Sequence, residues 1–348
     1  MTTLNYFNKL EKCLIIAEIG VNHNGDIKLA KKLVGAAKSA GADLVKFQTF
    51  SADALVSQGT PKVKYQLSTS STDETHYAML RRLELSESAH IELAAYSREM
   101  DIDFISTPYD IKSAAFLSSI NVPFFKLASA DLVDLPLQRF IASLHKPTMV
   151  ATGMGTLGEI EQVVDIFEKA SNSDLLLLHA VSNYPCSDES LNLRVMNTLS
   201  QAFLLPIGLS DHSEGYLASI ISIAMGAKVI EKHFTLDRAM AGPDHKASST
   251  PSEFAELVRN VRRAELMLGT SRKVCQPEER EMAQVSRKSL TLVREVSAGE
   301  KLKAGDIQLM RPGTGINAEF IDKFLGQILR CDRKSGHQLR WSDIEGAS

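Results

Sequence analysis

Two short apolar runs that each end in a histidine decide the fold: Pro206-Ile-Gly-Leu-Ser-Asp-His212 and Val229-Ile-Glu-Lys-His233. Between them, residues 214–226 have the pattern of one helix. If the two runs are neighbouring parallel strands, both imidazoles leave the sheet at the same end, with backbones roughly 5 Å apart. A single metal ion can bind two histidines at that spacing. The alternative is two unrelated polar residues at strand ends.

The same strand and helix unit recurs along the chain. Apolar runs predict eight strands, at Cys13–Ile19, Leu44–Gln48, Asp103–Ser106, Phe124–Leu127, Thr148–Ala151, Leu175–His179, Pro206–Leu209 and Val229–Lys232. Helical periodicity predicts Ile27–Ala40, Ser88–Met100, Ile111–Ile120, Leu135–Leu144, Leu157–Ala170, Glu214–Gly226 and Pro251–Leu268. Eight such units indicate an α/β fold, a (β/α)₈ TIM barrel. The alternative is a doubly wound open sheet, but its usual Gly-rich phosphate loop does not follow the first strand.

The barrel accounts for residues 1–270. Residues 271–285 are polar and charged and predict a linker, and residues 286–348 combine short strands, turns and one small helix, which predicts a small β-rich C-terminal domain. Within the barrel, residues 50–85 form a connection that is too long for an ordinary strand-to-helix turn. Segments of this length are typically lids or binding loops, although a surface insertion without function is the alternative.

Composition limits the kind of ligand and the compartment. The 348 residues carry a formal net charge of −3 with both signs interspersed, which indicates neither nucleic acid nor a membrane surface as partner. Four scattered cysteines without a CxxC spacing indicate reduced thiols. No signal-like segment or run of roughly 18 apolar residues is present. We therefore expect a cytoplasmic protein with a small-molecule ligand.

Polar residues follow the predicted strands at the barrel end where reacting groups gather. Lys46 and Lys126 stand among apolar strand residues, where a cation needs an anionic partner, and either a phosphate or carboxylate substrate or a protein salt bridge would provide it. The available carboxylates are Glu18, Asp131 and Asp211. Each is a candidate general acid or base, and the alternative for each is a counter-ion of a lysine.

Eight motifs in this order resemble the sialic acid synthase family. They are Ala17-Glu-Ile-Gly-Val-Asn-His-Asn-Gly25, Val45-Lys-Phe-Gln48, Ser106-Thr-Pro108, Thr152-Gly-Met154, Leu209-Ser-Asp-His212, Glu231-Lys-His-Phe234, Gly242-Pro-Asp-His-Lys-Ala-Ser248 and Arg311-Pro-Gly-Thr-Gly315. The resemblance implies a synthase that condenses phosphoenolpyruvate with an N-acetylated aldose and water to give a nonulosonic acid and phosphate. It also implies that the C-terminal domain is of the antifreeze-like (SAF) type.

The resemblance further assigns roles to residues. It implies that His212 and His233 bind a divalent metal, typically Mn²⁺ with Mg²⁺ or Co²⁺ as alternatives, which polarises the sugar aldehyde. The expected catalytic residues are Glu18, Asp131, Lys46, Lys126 and Arg311. The expected substrate-binding residues are Gln48, Thr107, Ser129, Thr152, Ser182, Tyr184, Asp244, Lys246 and again Arg311. Because the family's SAF arginine serves the partner's barrel, the resemblance implies a domain-swapped homodimer.

Departures from the family pattern leave the acceptor sugar open. Asp131 stands where many members have a longer Glu, and Ser182 stands where sialic acid synthases often have Asn. The acceptor is therefore N-acetylmannosamine or a 2,4-diacetamido-trideoxyhexose. Two other functions remain as alternatives, a metal-dependent aldolase or hydrolase on the same barrel and a non-catalytic sugar-binding protein.

Overall fold

Eight parallel strands form the centre of the computed structural model, which describes residues 5–62, 66 and 74–345. The strands are β1 (Leu14–Gly20), β2 (Leu44–Thr49), β3 (Asp103–Pro108), β4 (Phe125–Leu127), β5 (Thr148–Ala151), β6 (Leu175–Ala180), β7 (Ile207–Asp211) and β8 (Val229–His233). Their order is β3-β2-β1-β8-β7-β6-β5-β4, and β3 and β4 lie against each other and close the sheet. The predicted barrel is confirmed, with every strand end within two residues of its expected position.

Helices follow the strands as the periodicity indicated. They are α1 (Ile27–Ser39), α2 (Ala52–Leu55), α3 (His76–Leu83), α4 (Glu87–Glu99), α5 (Ile111–Ser119), α6 (Leu135–Ser143), α7 (Leu157–Lys169), α8 (Asp188–Leu191), α9 (Val195–Phe203), α10 (Leu217–Ala224), α11 (Pro251–Leu268), α12 (Arg280–Ser286) and α13 (Ile321–Phe324). The helix predicted from Glu214 begins only at Leu217. Gly215, at φ +68°, turns the chain first, and a helix cannot include that conformation.

Side chains inside the barrel change from apolar to polar along each strand. On β1, the buried Ile16 is followed two residues later by Glu18, and on β8, Val229 is followed by Glu231. The apolar ends pack in one cluster made of Phe7, Ile16, Leu44, Ile105, Phe124, Met149, Ala151, Leu176, Leu178 and Val229. Because strand side chains alternate, the next inward position on each strand lies nearer the carboxyl ends. The polar site is thus built on an apolar base.

The chain divides into two compact units, Met1–Gly269 and Thr270–Ser348. The second contains an antiparallel pair, β9 (Ser289–Leu292) and β10 (Ile307–Met310), and an apolar cluster of its own that includes Phe324. Most of helix α12 lies inside the segment predicted as a linker. The polar composition of that segment did not indicate a helix. No helix in the described part of the chain has the length and apolar character needed to cross a bilayer.

Strand β7 depends on a glycine that lies against β8. A Cβ at Gly208 would lie 2.5 Å from the Val229 carbonyl oxygen and 2.7 Å from Leu178 Cδ2. We therefore expect Gly208→Ala to lower the free energy of unfolding by about 1–3 kcal/mol, as overpacking does. Gly158→Ala, on helix α7 with nothing within 4 Å, is the control and should raise it by about 0.5–1 kcal/mol. Urea unfolding of both variants measures the difference, and equal midpoints would contradict the packing argument.

Candidate active site

One cavity of about 490 Å³ opens at the carboxyl ends of the barrel strands, a volume within the range of small-molecule sites. The predicted site residues that line it are Glu18, Lys46, Gln48, Thr107, Lys126, Ser129, Ser182, Tyr184, His212, His233 and Asp244. They come from strands and loops on every side of the barrel. The fold therefore brings together most of the side chains that the sequence nominated.

Two buried ion pairs lie side by side in the floor of this cavity. Lys46 Nζ is 2.6 Å from Glu18 Oε2 and donates a hydrogen bond to Thr107 Oγ1 at 3.1 Å. Lys126 Nζ is 3.1 Å from Glu231 Oε1, and Lys46 Nζ is 3.9 Å from Glu231 Oε2. The sequence left two kinds of anionic partner open for the lysines, a substrate or a protein carboxylate. In the structure both lysines are paired with protein carboxylates. The four side chains are buried and together carry no net charge.

The two carboxylates of this cluster have different acidities. Burial raises the pKa of Glu18 above its ordinary value, and Lys46 opposes this only in part. Burial would also raise the pKa of Glu231, but Lys126 and Lys46 together outweigh it and hold that pKa at about 2. Burial lowers the pKa of the Lys126 ammonium. Glu18 is therefore the carboxylate of the two that takes up a proton more readily, whereas Glu231 stays ionised.

The predicted histidine pair is assembled. The ring centroids of His212 and His233 are 5.6 Å apart, and Tyr184 packs 4.2 Å from the His212 ring. Burial lowers the pKa of His212 to about 4 and lowers that of His233 well below its usual value, so both imidazoles are neutral, as metal binding requires. His212 Nδ1 lies 2.8 Å from the Val181 carbonyl oxygen, which leaves Nε2 for a ligand. His233 Nδ1 is buried with no hydrogen-bond partner in the described chain.

This donor set suits a metal ion that takes further ligands from outside the protein. No cluster of three or more histidine, cysteine, aspartate or glutamate side chains suitable for a metal occurs among the described residues. Two neutral imidazoles at one cavity wall leave most positions of a divalent ion open to water or substrate oxygens. The residues therefore fit an open catalytic ion better than a closed structural one.

A glycine brings two hydroxyl groups together beside the lysines. Gly153 N–H donates to Ser129 Oγ at 3.0 Å, and a Cβ at Gly153 would lie 2.5 Å from Ser182 Oγ and 2.7 Å from Ser129 Oγ. Any larger residue would displace one of these hydroxyls. The Ser129 and Ser182 hydroxyls thus share one small polar surface on the cavity wall.

Four predicted residues do not line this cavity. Thr152 was expected to bind substrate, but its hydroxyl donates to the Leu178 carbonyl at 3.0 Å and is already satisfied. Lys246 lines a separate pocket of about 210 Å³. Asp131 is not a lining residue, and burial and then Asp134 raise its pKa to about 7, against the opposing effect of Lys126. Arg311 belongs to the C-terminal unit, so its role stays a prediction.

Asp211 is the counter-ion of a lysine, which was the alternative to a role as general acid or base. It is 3.1 Å from Lys232 Nζ and accepts hydrogen bonds from the hydroxyls of Ser213 and Ser219. Asp211 and Lys232 are both buried. The pair fixes the turn that carries His212.

The cavity residues that were not assigned a role from the sequence include Glu231, Ser210 and Tyr109. Ser210 Oγ donates to Glu231 Oε1 at 3.0 Å and lies 3.4 Å from His212 Nε2. A signal for two of them was available, since Glu231 precedes His233 and Ser210 precedes His212 by two residues. Strand alternation places such pairs on the same face.

Comparison with known proteins agrees with this geometry. The model of the NeuB family matches residues 33–273, and that of the SAF domain matches residues 287–345. The chain is 42% identical to an N,N'-diacetyllegionaminic acid synthase of Legionella pneumophila over 96% of this chain and 95% of the relative. It is 40% identical to an enzyme of the same name from Campylobacter jejuni, over 95% of this chain and the whole relative.

A solved structure supports the same relationship. The N-acetylneuraminic acid synthetase of Leptospira borgpetersenii matches with a TM-score of 0.71 at 32% identity, over 78% of this chain and 90% of that chain. All three relatives are named as acid synthases or synthetases, and the match to the two legionaminic acid synthases includes both units. The chain therefore belongs to the NeuB family of acid synthases and carries a C-terminal SAF domain.

Proposed function

We propose that this protein condenses phosphoenolpyruvate with an N-acetylated aldose and water to give a nonulosonic acid and phosphate. The observation that carries the proposal is the neutral cluster of two lysines and two glutamates beside two neutral histidines in one cavity. The lysines offer cationic donors for an anionic substrate, and the histidines offer ligands for a divalent ion. An aldolase or hydrolase reading has no separate observation in its favour.

Lys46, Lys126 and the hydroxyl of Ser129 hold the phosphate and carboxylate of phosphoenolpyruvate in this proposal. Both ammonium groups lie on rigid strands, so their donors are already oriented before the substrate arrives. C3 of phosphoenolpyruvate attacks the aldehyde carbon, water adds to C2, and phosphate leaves by cleavage of its C–O bond. One proton of the water goes to the aldehyde oxygen, and the other leaves with the phosphate when the C2 hydroxyl becomes the ketone. In this proposal Glu18, whose pKa is raised, carries the first of these protons.

A divalent ion, Mn²⁺ in our proposal, would be held by His212 and His233 and would polarise the aldehyde when bound. The Val181 carbonyl at Nδ1 and the packed Tyr184 ring fix the orientation of His212. Neutral imidazoles need no proton removed before they bind the ion.

In this proposal the working unit is a domain-swapped homodimer, and Arg311 of one subunit completes the active site of the other. It is exposed and directly follows β10. Ser289 and Gln338 both donate to the carbonyl of the next residue, Pro312, at 2.8 and 2.7 Å. A turn held in this way presents Arg311 outward as a preformed donor. Its partner in the proposal is the acceptor sugar in the other subunit's barrel.

The metal proposal predicts the effect of removing one ligand. His212→Ala or His233→Ala should lower kcat/KM for phosphate release by about 100-fold or more, since loss of even an outer-shell contact costs 10–100-fold. Exhaustive chelation should inactivate the parent protein, and Mn²⁺ should restore it. Mn²⁺ binding, followed by electron paramagnetic resonance, should weaken in both variants. The exposed His145→Asn is the control. Unchanged Mn²⁺ binding in the double alanine variant would contradict the assignment.

The proposed roles of Glu18 and Lys126 predict opposite effects on binding and turnover. Glu18→Gln keeps shape but removes basicity, so kcat should fall by about 10²-fold or more while phosphoenolpyruvate binding is largely kept. Lys126→Met should weaken phosphoenolpyruvate binding. Isothermal calorimetry and steady-state rates separate the two, with thermal unfolding as the check on folding. The reverse pattern would mean that the roles are wrongly assigned.

The swapped dimer predicts rescue between two inactive proteins. Glu18→Gln and Arg311→Ala are each expected to be inactive, but a mixed dimer contains one barrel with its own Glu18 and an intact Arg311 from the other chain. Random exchange at equal amounts should restore about a quarter of the parent activity, because half of the dimers are mixed and each has one complete site. The exposed Arg330→Ala should keep full activity by itself. No recovery after exchange, verified by mass spectrometry, would contradict the swap.

A further inference from the structure

The loop that follows β8, residues 234–249, brings Asp244 into the wall of the cavity. We call this segment the β8 loop. Its two ends are joined to each other and to the strand, because Ser249 N–H donates to the His233 carbonyl at 2.8 Å and Thr235 N–H donates to the Ser249 carbonyl at 3.0 Å. In the described chain, the backbone hydrogen bonds of residues 236–248 run only within the loop. The position of Asp244 therefore depends on side-chain contacts.

Asn24, in the turn after β1, supplies such a contact. Its Nδ2 donates to the Ala241 carbonyl at 2.8 Å and lies 3.3 Å from His245 Nε2. A Cβ at Gly242 would lie 2.7 Å from both Asn24 Oδ1 and His245 Cδ2. The β8 loop can approach Asn24 this closely only because residue 242 has no side chain.

The order of protons along this contact follows from the donors. The amide nitrogen of Asn24 has no lone pair to accept with, so His245 Nε2 accepts its hydrogen bond. In a neutral imidazole the proton then lies on Nδ1, which donates to Thr235 Oγ1 at 2.6 Å, and Thr235 donates to the Asp237 carbonyl at 3.1 Å. Burial, opposed in part by Asp237, lowers the pKa of His245 to about 4, so the ring stays neutral near neutral pH. His245 is thus fixed through both ring nitrogens.

A second asparagine of the same turn supports the loop. Asn22 Nδ2 donates to the Phe234 carbonyl and to Ser248 Oγ, both at 2.9 Å, and Ser248 Oγ donates to the Asp244 carbonyl at 2.7 Å. The side-chain oxygens of Asn22 and Asn24 are buried with no hydrogen-bond partner in the described chain. An unsatisfied buried acceptor costs free energy. This cost indicates that the two amides serve as donors to the β8 loop rather than as packing residues.

We propose that Asn24 and His245 are positioning residues, which hold Asp244 in the cavity wall so that its carboxylate bonds to hydroxyl groups of the acceptor sugar. The inference rests on the proposed function, because it concerns the acceptor of that reaction. Neither Asn24 nor His245 lines the cavity, so each acts on the sugar through a neighbour. That neighbour is Asp244, which directly precedes His245. A carboxylate that is held in advance loses less conformational freedom when the sugar binds.

The first test removes the amide without straining the turn. Asn24 has a φ of +53°, which glycine adopts readily, so Asn24→Gly deletes only the side chain. The acceptor is N-acetylmannosamine or the 2,4-diacetamido-trideoxyhexose, whichever the parent protein uses faster with phosphoenolpyruvate and Mn²⁺. KM for this sugar should rise about 10-fold while kcat changes by less than about twofold. Phosphoenolpyruvate binding, measured by calorimetry, should stay unchanged. Asn121→Gly, exposed and at φ +57°, is the matched control and should match the parent protein.

Variants of His245 separate positioning from a general loss of packing. In His245→Gln, Oε1 replaces Nε2 as the acceptor for Asn24, so KM for the sugar should stay close to that of the parent protein. His245→Leu has no such acceptor and should match Asn24→Gly. Asp244→Ala should raise the same KM by itself. Adding Asn24→Gly to Asp244→Ala should raise it no further, because the two residues act as one unit.

Hydrogen exchange followed by mass spectrometry measures the loop without turnover. Amides of residues 241–248 should exchange faster in Asn24→Gly than in the parent protein or in Asn121→Gly. Unchanged exchange or an unchanged KM for the sugar in Asn24→Gly would overturn the inference. A further rise in KM on the Asp244→Ala background would also overturn it, since Asn24 would then act on something other than Asp244. The proposed function is tested by the parent protein alone, and it fails if neither acceptor supports phosphate release.

Discussion

Four charges buried in the barrel floor govern the arrangement of everything around them. Removing a carboxylate or an ammonium group from water costs several kcal/mol, and an unpaired buried charge destabilises a fold by about 3–5 kcal/mol. Glu18, Lys46, Lys126 and Glu231 lie on β1, β2, β4 and β8, so only a closed barrel brings them into contact. The apolar base beneath them excludes water from the other side. The geometry of the site therefore depends on the closure of the barrel.

The balance of charge also explains what the cavity can accept. The cluster is neutral, and the two histidines beside it are neutral because burial keeps their pKa values low. A multiply charged anion alone would leave uncompensated negative charge in a buried place. A divalent cation alone would leave the opposite charge. Joint binding of both keeps the site closer to neutral than either alone, which agrees with the proposed pairing of an anionic substrate and a dication.

The sequence predicted the barrel closely because strand and helix periods alternate without interruption. It predicted residues whose type and position both pointed to the site, such as His212 and His233. It could not give the direction in which a side chain points. Thr152 stands at the end of β5, yet its hydroxyl is taken up by a carbonyl on β6. Glu231 was read only as part of a motif, although its spacing from His233 placed it on the inward face.

The sequence also did not predict that the helix begins at Leu217, or that Lys246 lines a pocket separate from the main cavity. Both depend on turns, and a turn is set by one or two backbone torsions that the surrounding residue types do not determine.

The residues that line the cavity come from two sources, the strand ends and the segment after β2. The reacting groups lie on strands, whose positions are fixed by ladders on both sides, and a change there alters the four-charge cluster. The apolar lining residues Phe50, Met79 and Leu83 lie on the segment after β2, which is held by its own apolar cluster and by surface ion pairs. In the proposed function, the strands therefore supply the charged groups that act on the substrate, and the segment after β2 supplies apolar side chains that border the cavity.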